Sequence, residues 1–222
     1  MPINNMAYSR VVPQFIICSH SSRHHEVAES ALERIKSGRN GAALINAVCQ
    51  VMTNGKKVYI DCDNHTNGTF VHGRLTDAQI ARYGVNPSAA DRQHEHFAHQ
   101  LSVRKPDNTY GEGVSAMIRF HPDEAVWTDA LGVGHSVLDP RLSFLTLAHE
   151  LVHAFHLLNG TSLASQRDHI WIEGSGQRQE EDRATGVGDF SRTKLSENGV
   201  RADHGIPLRA SYFLAEHLAP NH

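Results

Sequence analysis

The residues of this chain best suited to chemistry are two histidines and a glutamate in the run His149-Glu150-Leu151-Val152-His153. Side chains four apart on an α-helix lie about 40° apart around its axis, so both imidazoles can reach one cation at roughly 2.0–2.1 Å. Glu150, about 100° from His149, is placed to work on a water at that cation without being a ligand itself. This is the H-E-x-x-H pattern of zinc hydrolases, and one Zn2+ per chain is the expected cofactor. The competing reading is a core helix whose histidines only hydrogen-bond to neighbours.

Two histidines and a water leave a catalytic zinc one protein ligand short. His156 falls on the same helical face but one turn further on, and a straight helix cannot wrap three imidazoles around one ion. It also occupies the place where H-E-x-x-H-x-x-G-x-x-H enzymes carry a chain-bending glycine, so the third ligand is expected from a later element. Glu173 lies twenty residues beyond His153, but Gly174 and Gly176 flank it and argue for a loop. Glu181 lies twenty-eight beyond, in a Q-E-E-D-R-A-T-G run able to form a short helix facing the first, with Ala184 small enough for close approach. Spacing and local structure favour Glu181.

The element that must position these groups is Phe144 to Gly160. Phe144, Leu145, Leu147, Leu151, Val152 and Leu158 surround the polar trio, which marks a helix packed on most sides. Asp139-Pro140 breaks the chain before it, and Ser143 is the expected cap. Upstream, Val114 to Phe120 alternates as a half-buried strand. It reads either as a plain structural strand or as the edge strand on which an extended peptide would lie. Helices are expected over Arg23–Ser37 and Gly41–Met52, with strands at Val11–Cys18 and Lys57–Cys62. The Asp61 to Asn67 run reads as an Asx-rich turn. His94 and His99 are five apart, about 140° around a helix, so that stretch is expected to be a solvent-facing helix and no metal site.

With 222 residues, 40% hydrophobic and 20% charged, the chain can bury one good core. A single domain over residues 23–222 is expected, preceded by a loosely ordered segment, 1–22, of the kind that can carry a secretion address. The net charge of -3 comes with no basic stripe, so nucleic acid is not an expected partner. Neither a membrane span nor a cleaved leader is visible. Three scattered cysteines suggest a reducing compartment and no disulfide framework.

H-E-L-V-H-A-F-H followed by Glu180-Glu181-Asp182-Arg183-Ala184-Thr185-Gly186 resembles the paired-glutamate box of gluzincin proteases of the clostridial neurotoxin light-chain type. Leu208-Arg209-Ala210-Ser211-Tyr212 resembles their R-x-x-Y. T-L-A-H-E-L-V-H-A, the S-E-N of Ser196 to Asn198 and R-A-D-H-G-I-P-L-R-A-S-Y from Arg201 are similar to small type III secreted effector metalloproteases of the NleD and XopG kind. The likeness covers about Leu145 to Tyr212, with a weaker echo in G-E-G-V-S-A-M-I-R-F-H-P-D. It implies an α+β, zincin-like metalloprotease with a small mixed sheet, an edge strand packed on the central helix and a helical C-terminal part. His149, His153 and Glu181 would bind zinc, Glu150 would be the general base, and Arg209 and Tyr212 would face the scissile carbonyl. Asp182 stands where the neurotoxin box is apolar, which keeps Glu180 open beside Glu181.

Glu180 is otherwise the expected support for a ligand histidine or for Arg209, and Glu197 a further support for the arginine. The expected activity is zinc-dependent cleavage of a host intracellular protein after type III secretion into the host cytoplasm, by a monomer. A bacterial secretion chaperone is a further candidate partner. The alternative is a zinc-stabilised effector without catalysis that occupies a host partner, against which the intact Glu150 counts.

Overall fold

The computed structural model describes residues 5–63, 68–88, 91–164 and 169–218. Its first half runs β1 (Met6–Tyr8), β2 (Ile16–Cys18), α1 (Ser22–Ser37), α2 (Arg39–Val51), β3 (Val58–Asp61), β4 (Phe70–Arg74), α3 (Asp77–Tyr83) and α4 (Arg92–Ser102). There follow β5 (Ser115–Arg119), β6 (Glu124–Thr128), β7 (Gly134–Leu138), α5 (Ser143–Asn159), α6 (Gly176–Thr185), α7 (Glu197–Asp203) and α8 (Ala215–Leu218). The main sheet has the order β1-β2-β3-β5-β4. Its three inner strands are parallel, and β1 and β4 run antiparallel at the two edges. β6 and β7 form a separate antiparallel hairpin. The fold is α+β, with the small mixed sheet, central helix and helical C-terminal part that were expected.

Parallel strands are stable where both faces are covered. Ile17, Ile60 and Ile118 enter one core with Leu32 and Ile35 of α1, Leu44 of α2 and the apolar side chains of α5. Because α5 is enclosed on nearly all sides, it is a rigid platform rather than a surface helix. Its last turn ends at Gly160, in the left-handed region at φ 66, whose amide returns to the carbonyl of His156. A Cβ there would lie 2.2 Å from the Gly111 carbonyl oxygen, so only glycine fits.

Several expectations are corrected. Of the two readings of Val114 to Phe120, the plain structural strand holds and the sheet edge does not: β5 lies between β3 and β4, and four of its five residues are buried. The edge is β4, whose F-V-H-G-R sequence has no apolar alternation to announce it. Ser143 does not cap α5; its hydroxyl donates to the Pro140 carbonyl, and Leu142 stands at the cap with no side-chain bond. His94 does not face solvent but is buried, accepting from the Leu75 amide through Nε2 and donating to the Asn86 carbonyl through Nδ1. Within the segment expected to be loose, Met6–Tyr8 forms β1, while β2 falls inside the strand expected at Val11–Cys18; Phe15 is fully buried, so the core begins well before residue 23. Asn64 to Asn67 of the Asx-rich run lie outside the described residues. Among the described residues no helix is long and apolar enough to cross a membrane.

One tie connects the two halves of the chain. The cap residue of α2 is Gly38, which has no side chain to offer. Asp203, at the end of α7, supplies the cap instead: one oxygen accepts from the amides of Asn40 and Gly41 at 2.7 and 2.9 Å, the other from the Asn40 side chain at 2.9 Å. A Cβ on residue 38 would meet Asp203 at 2.4 Å, so glycine makes room for the distant cap. Asp203→Ala should cost about 1–2 kcal/mol, as loss of a helix cap does, and lower the melting temperature by about 2–8 °C in a thermal scan. An unchanged melting temperature would show that water replaces the carboxylate without loss.

Candidate active site

His149, Glu150 and His153 face a cleft of about 350 Å³. Thr69, Phe70 and Val71 at the start of β4 form one wall, and Val126, Tyr212 and Leu214 belong to the other. α6 starts where the Ser175 hydroxyl accepts from the Arg178 amide and ends at the left-handed Gly186. Fully buried Ala184 lets this helix approach α5, and Glu181 is thereby aimed at the histidines. One Glu181 oxygen lies 3.0 Å from His149 Nε2 and 3.1 Å from His153 Nε2, and the two nitrogens are 3.1 Å apart. Three corners of a tetrahedron around an ion with 2.0–2.1 Å ligands lie about 3.3 Å apart. The donor set therefore fits a divalent metal ion bound by two imidazoles and one carboxylate, with a fourth position left over. Glu173 is exposed in the loop ahead of α6 and is not brought to the histidines.

Each of these imidazoles is braced through its other nitrogen. His149 Nδ1–H donates to Glu197 at 3.1 Å, and His153 Nδ1–H donates to Glu180 at 3.2 Å. Such bonds fix the tautomer that leaves Nε2 free to ligate. Glu197 is itself held by Arg201 at 2.8 Å and Arg209 at 3.0 Å, and is 2% exposed. Burial works against its charge, but the two guanidiniums outweigh burial and keep the carboxyl far below the usual range. Glu180 accepts from the Leu163 amide at 2.8 Å and from Arg183 at 2.5 Å.

His156 turns the same way. Its Nδ1 lies 2.6 Å from the Glu180 oxygen that also serves His153, and burial lowers its pKa. His153, His156 and Glu180 are close enough to hold an ion. With the Arg183 cation already on that carboxylate, the group reads as a hydrogen-bonded brace. Of the two partners expected for Glu180, the carboxylate lies on His153, with His156 and Arg183, and not on Arg209.

Burial pushes the Glu150 carboxyl up to about 7, against the opposing pull of His153 and His149. Tyr212 stacks on the His149 ring at 6.0 Å. Burial, with Glu181 and Glu150 nearby, raises its phenol, so it stays a hydrogen donor. Arg209 lines the cleft, yet its guanidinium is engaged with Glu197, with the Ser211 carbonyl at 3.2 Å and with the Tyr212 carbonyl. Asn198 fixes its backbone from both sides, accepting at 2.8 Å and donating at 2.9 Å. Arg201, Arg183 and Asn198 stand in the matched stretches but were given no role from the sequence, and Glu197 was seen only as an arginine partner. The i,i+4 spacing of Glu197 and Arg201 on a short helix was the one available signal.

Residues 13–212 match the sequence profile of a peptidase family, M91, described as effector protein. The chain belongs to that family. This bears out the resemblance to NleD-type effector proteases, and the profile begins ahead of residue 23. Among curated proteins, no sequence matches the chain. Among solved structures it is similar to the catalytic domain of Clostridium botulinum neurotoxin serotype F, at 16% identity and TM-score 0.45, covering 82% of this chain and 46% of that one. It is also similar to the botulinum neurotoxin type G light chain, at 13% identity and TM-score 0.48, covering 90% and 75%. The M91 chain thus spans about half the length of the serotype F domain.

Without metal, burial disfavours charge on His149, but Glu181 and Glu197 overcome it and lift its pKa to about 9. A metal must displace that proton. Apparent affinity should therefore rise with pH between pH 7 and 9, by about tenfold per unit at pH 7–8 for each proton released. Co2+ absorption in competition with a chelator measures this, and an affinity independent of pH would contradict the arrangement.

Proposed function

We propose that this protein is a zinc-dependent endopeptidase, delivered by a type III secretion system into the host cytoplasm, that cleaves a host protein there. The observation that carries the reading is the convergence of His149, His153 and Glu181 within 3.1 Å of one another, with Glu150 beside them in the same cleft. Membership of a peptidase family of effectors supports it. A secretion address within residues 1–22 and a bacterial secretion chaperone belong to the same reading.

Zinc held by His149, His153 and Glu181 would supply a Lewis acid for the scissile carbonyl and lower the pKa of a water toward about 7. Glu150 accepts the proton of the attacking water and passes it to the leaving amine. Its elevated pKa suits both halves of that task. Tyr212 donates its phenolic hydrogen to the developing oxyanion, and Arg209 adds positive charge to the same wall of the cleft. Glu197 and Glu180 keep the imidazoles in register, while the outer edge of β4 offers an extended peptide a backbone to pair with.

Glu150→Gln should retain about one zinc per chain and lose proteolysis by 10²-fold or more. Tyr212→Phe should lower kcat by about 10²–10³-fold with zinc retained, the usual loss for one oxyanion donor. Mapping of new protein termini in host lysate, wild type against Glu150→Gln, provides the substrate and the readout. If the wild type generates no termini that Glu150→Gln lacks, the reading fails.

A further inference from the structure

Asp182 departs from the apolar residue of the neurotoxin-like box, and its surroundings give it a task. Its carboxylate holds Arg178, one helical turn back on α6, at 2.9 and 3.0 Å. The Arg178 guanidinium lies 4.2 Å from the centroid of the Phe213 ring. Trp171 stacks on Phe213 at 4.5 Å with the planes 6° apart, and His217 meets both rings edge-on at 5.9 and 6.2 Å. Phe213 thus packs against both a cation and an indole.

Phe213 follows Tyr212, whose ring it touches at 5.7 Å. On the other side, Arg209 donates to the carbonyls of Ser211 and Tyr212. Tyr212 is thus gripped from both directions along the chain, by Arg209 before it and by Phe213 after it. Arg178 precedes Glu181 by three residues on α6, so the helix that supplies the carboxylate also sets where the phenol stands.

We propose that Asp182, Arg178, Phe213 and Trp171 form a clamp that positions Tyr212 over the site. They are positioning residues, not catalytic ones, and the assignment rests on the reading of Tyr212 as the oxyanion donor. The clamp lies at the rim: Arg178 is 24% and Trp171 56% exposed, so truncating either leaves the core intact.

The test is a double-mutant cycle on the fastest-cut peptide of a host-proteome peptide library, with metal content measured throughout. Arg178→Ala should lower kcat about tenfold, leave KM within twofold and keep the metal. Arg178→Lys, which retains a cation over the ring, should recover most of the rate. In a Tyr212→Phe background, Arg178→Ala should cost less than a further twofold, because the group it positions is gone. A full tenfold loss in that background, or a wild-type rate in Arg178→Ala alone, would overturn the clamp. A wild type that cuts no peptide refutes the functional reading itself, and the clamp with it.

Discussion

A buried carboxylate behind each of the two imidazoles that face the cleft is the constraint on which the site is built. Glu197 on α7 braces His149, and Glu180 on α6 braces His153, so three helices are tied together through two hydrogen bonds. Neither carboxylate could stay charged alone in such surroundings. Glu197 needs Arg201 and Arg209, and Glu180 needs Arg183 and the Leu163 amide. Removing one partner of a buried pair typically costs about 3–5 kcal/mol, because the remaining charge is stranded. The members of the network therefore depend on one another, and together they fix the geometry of both rings.

The rest of the fold serves that network. α5 is held in place by the apolar contacts that enclose it, and the four-residue spacing brings His149 and His153 to one face where the two carboxylates then fix their rings. The other groups arrive from short elements whose placement depends on local devices: the Ser175 cap and Gly186 stop for α6, the Ser196 cap for α7, and the Asn198 bridge to Arg209. β4 and the hairpin then leave a trough above the histidines rather than closing over them.

What the sequence made legible was whatever a single helix encodes. The His149-Glu150-His153 spacing and the apolar shell of α5 are local facts, and so was the helical run carrying Glu181. Relations between distant segments were not readable. β4 has no alternation and pairs with β5, so the sheet edge it forms went unread and the role of β5 stayed open between edge and interior. Burial of His94 depends on the Leu75 amide, nineteen residues away. The strand at Ile16–Cys18 was legible, but β1 depends on pairing with it and left no signal of its own. Glu197 was noticed as a charge for Arg209, but its second bond, to His149, spans 48 positions and left no trace in spacing.

The Asp203 tie to α2 bears on when the site comes into being during synthesis. Its carboxylate sits six residues beyond Glu197 and caps a helix laid down some 160 residues earlier. A nascent chain that has only just released α5 presents both imidazoles with neither brace, no third donor and no phenol. The cleft has its full set of donors only after residues through Tyr212 have been made and the Asp203 carboxylate has closed back onto α2, so the site is assembled by segments far apart in synthesis.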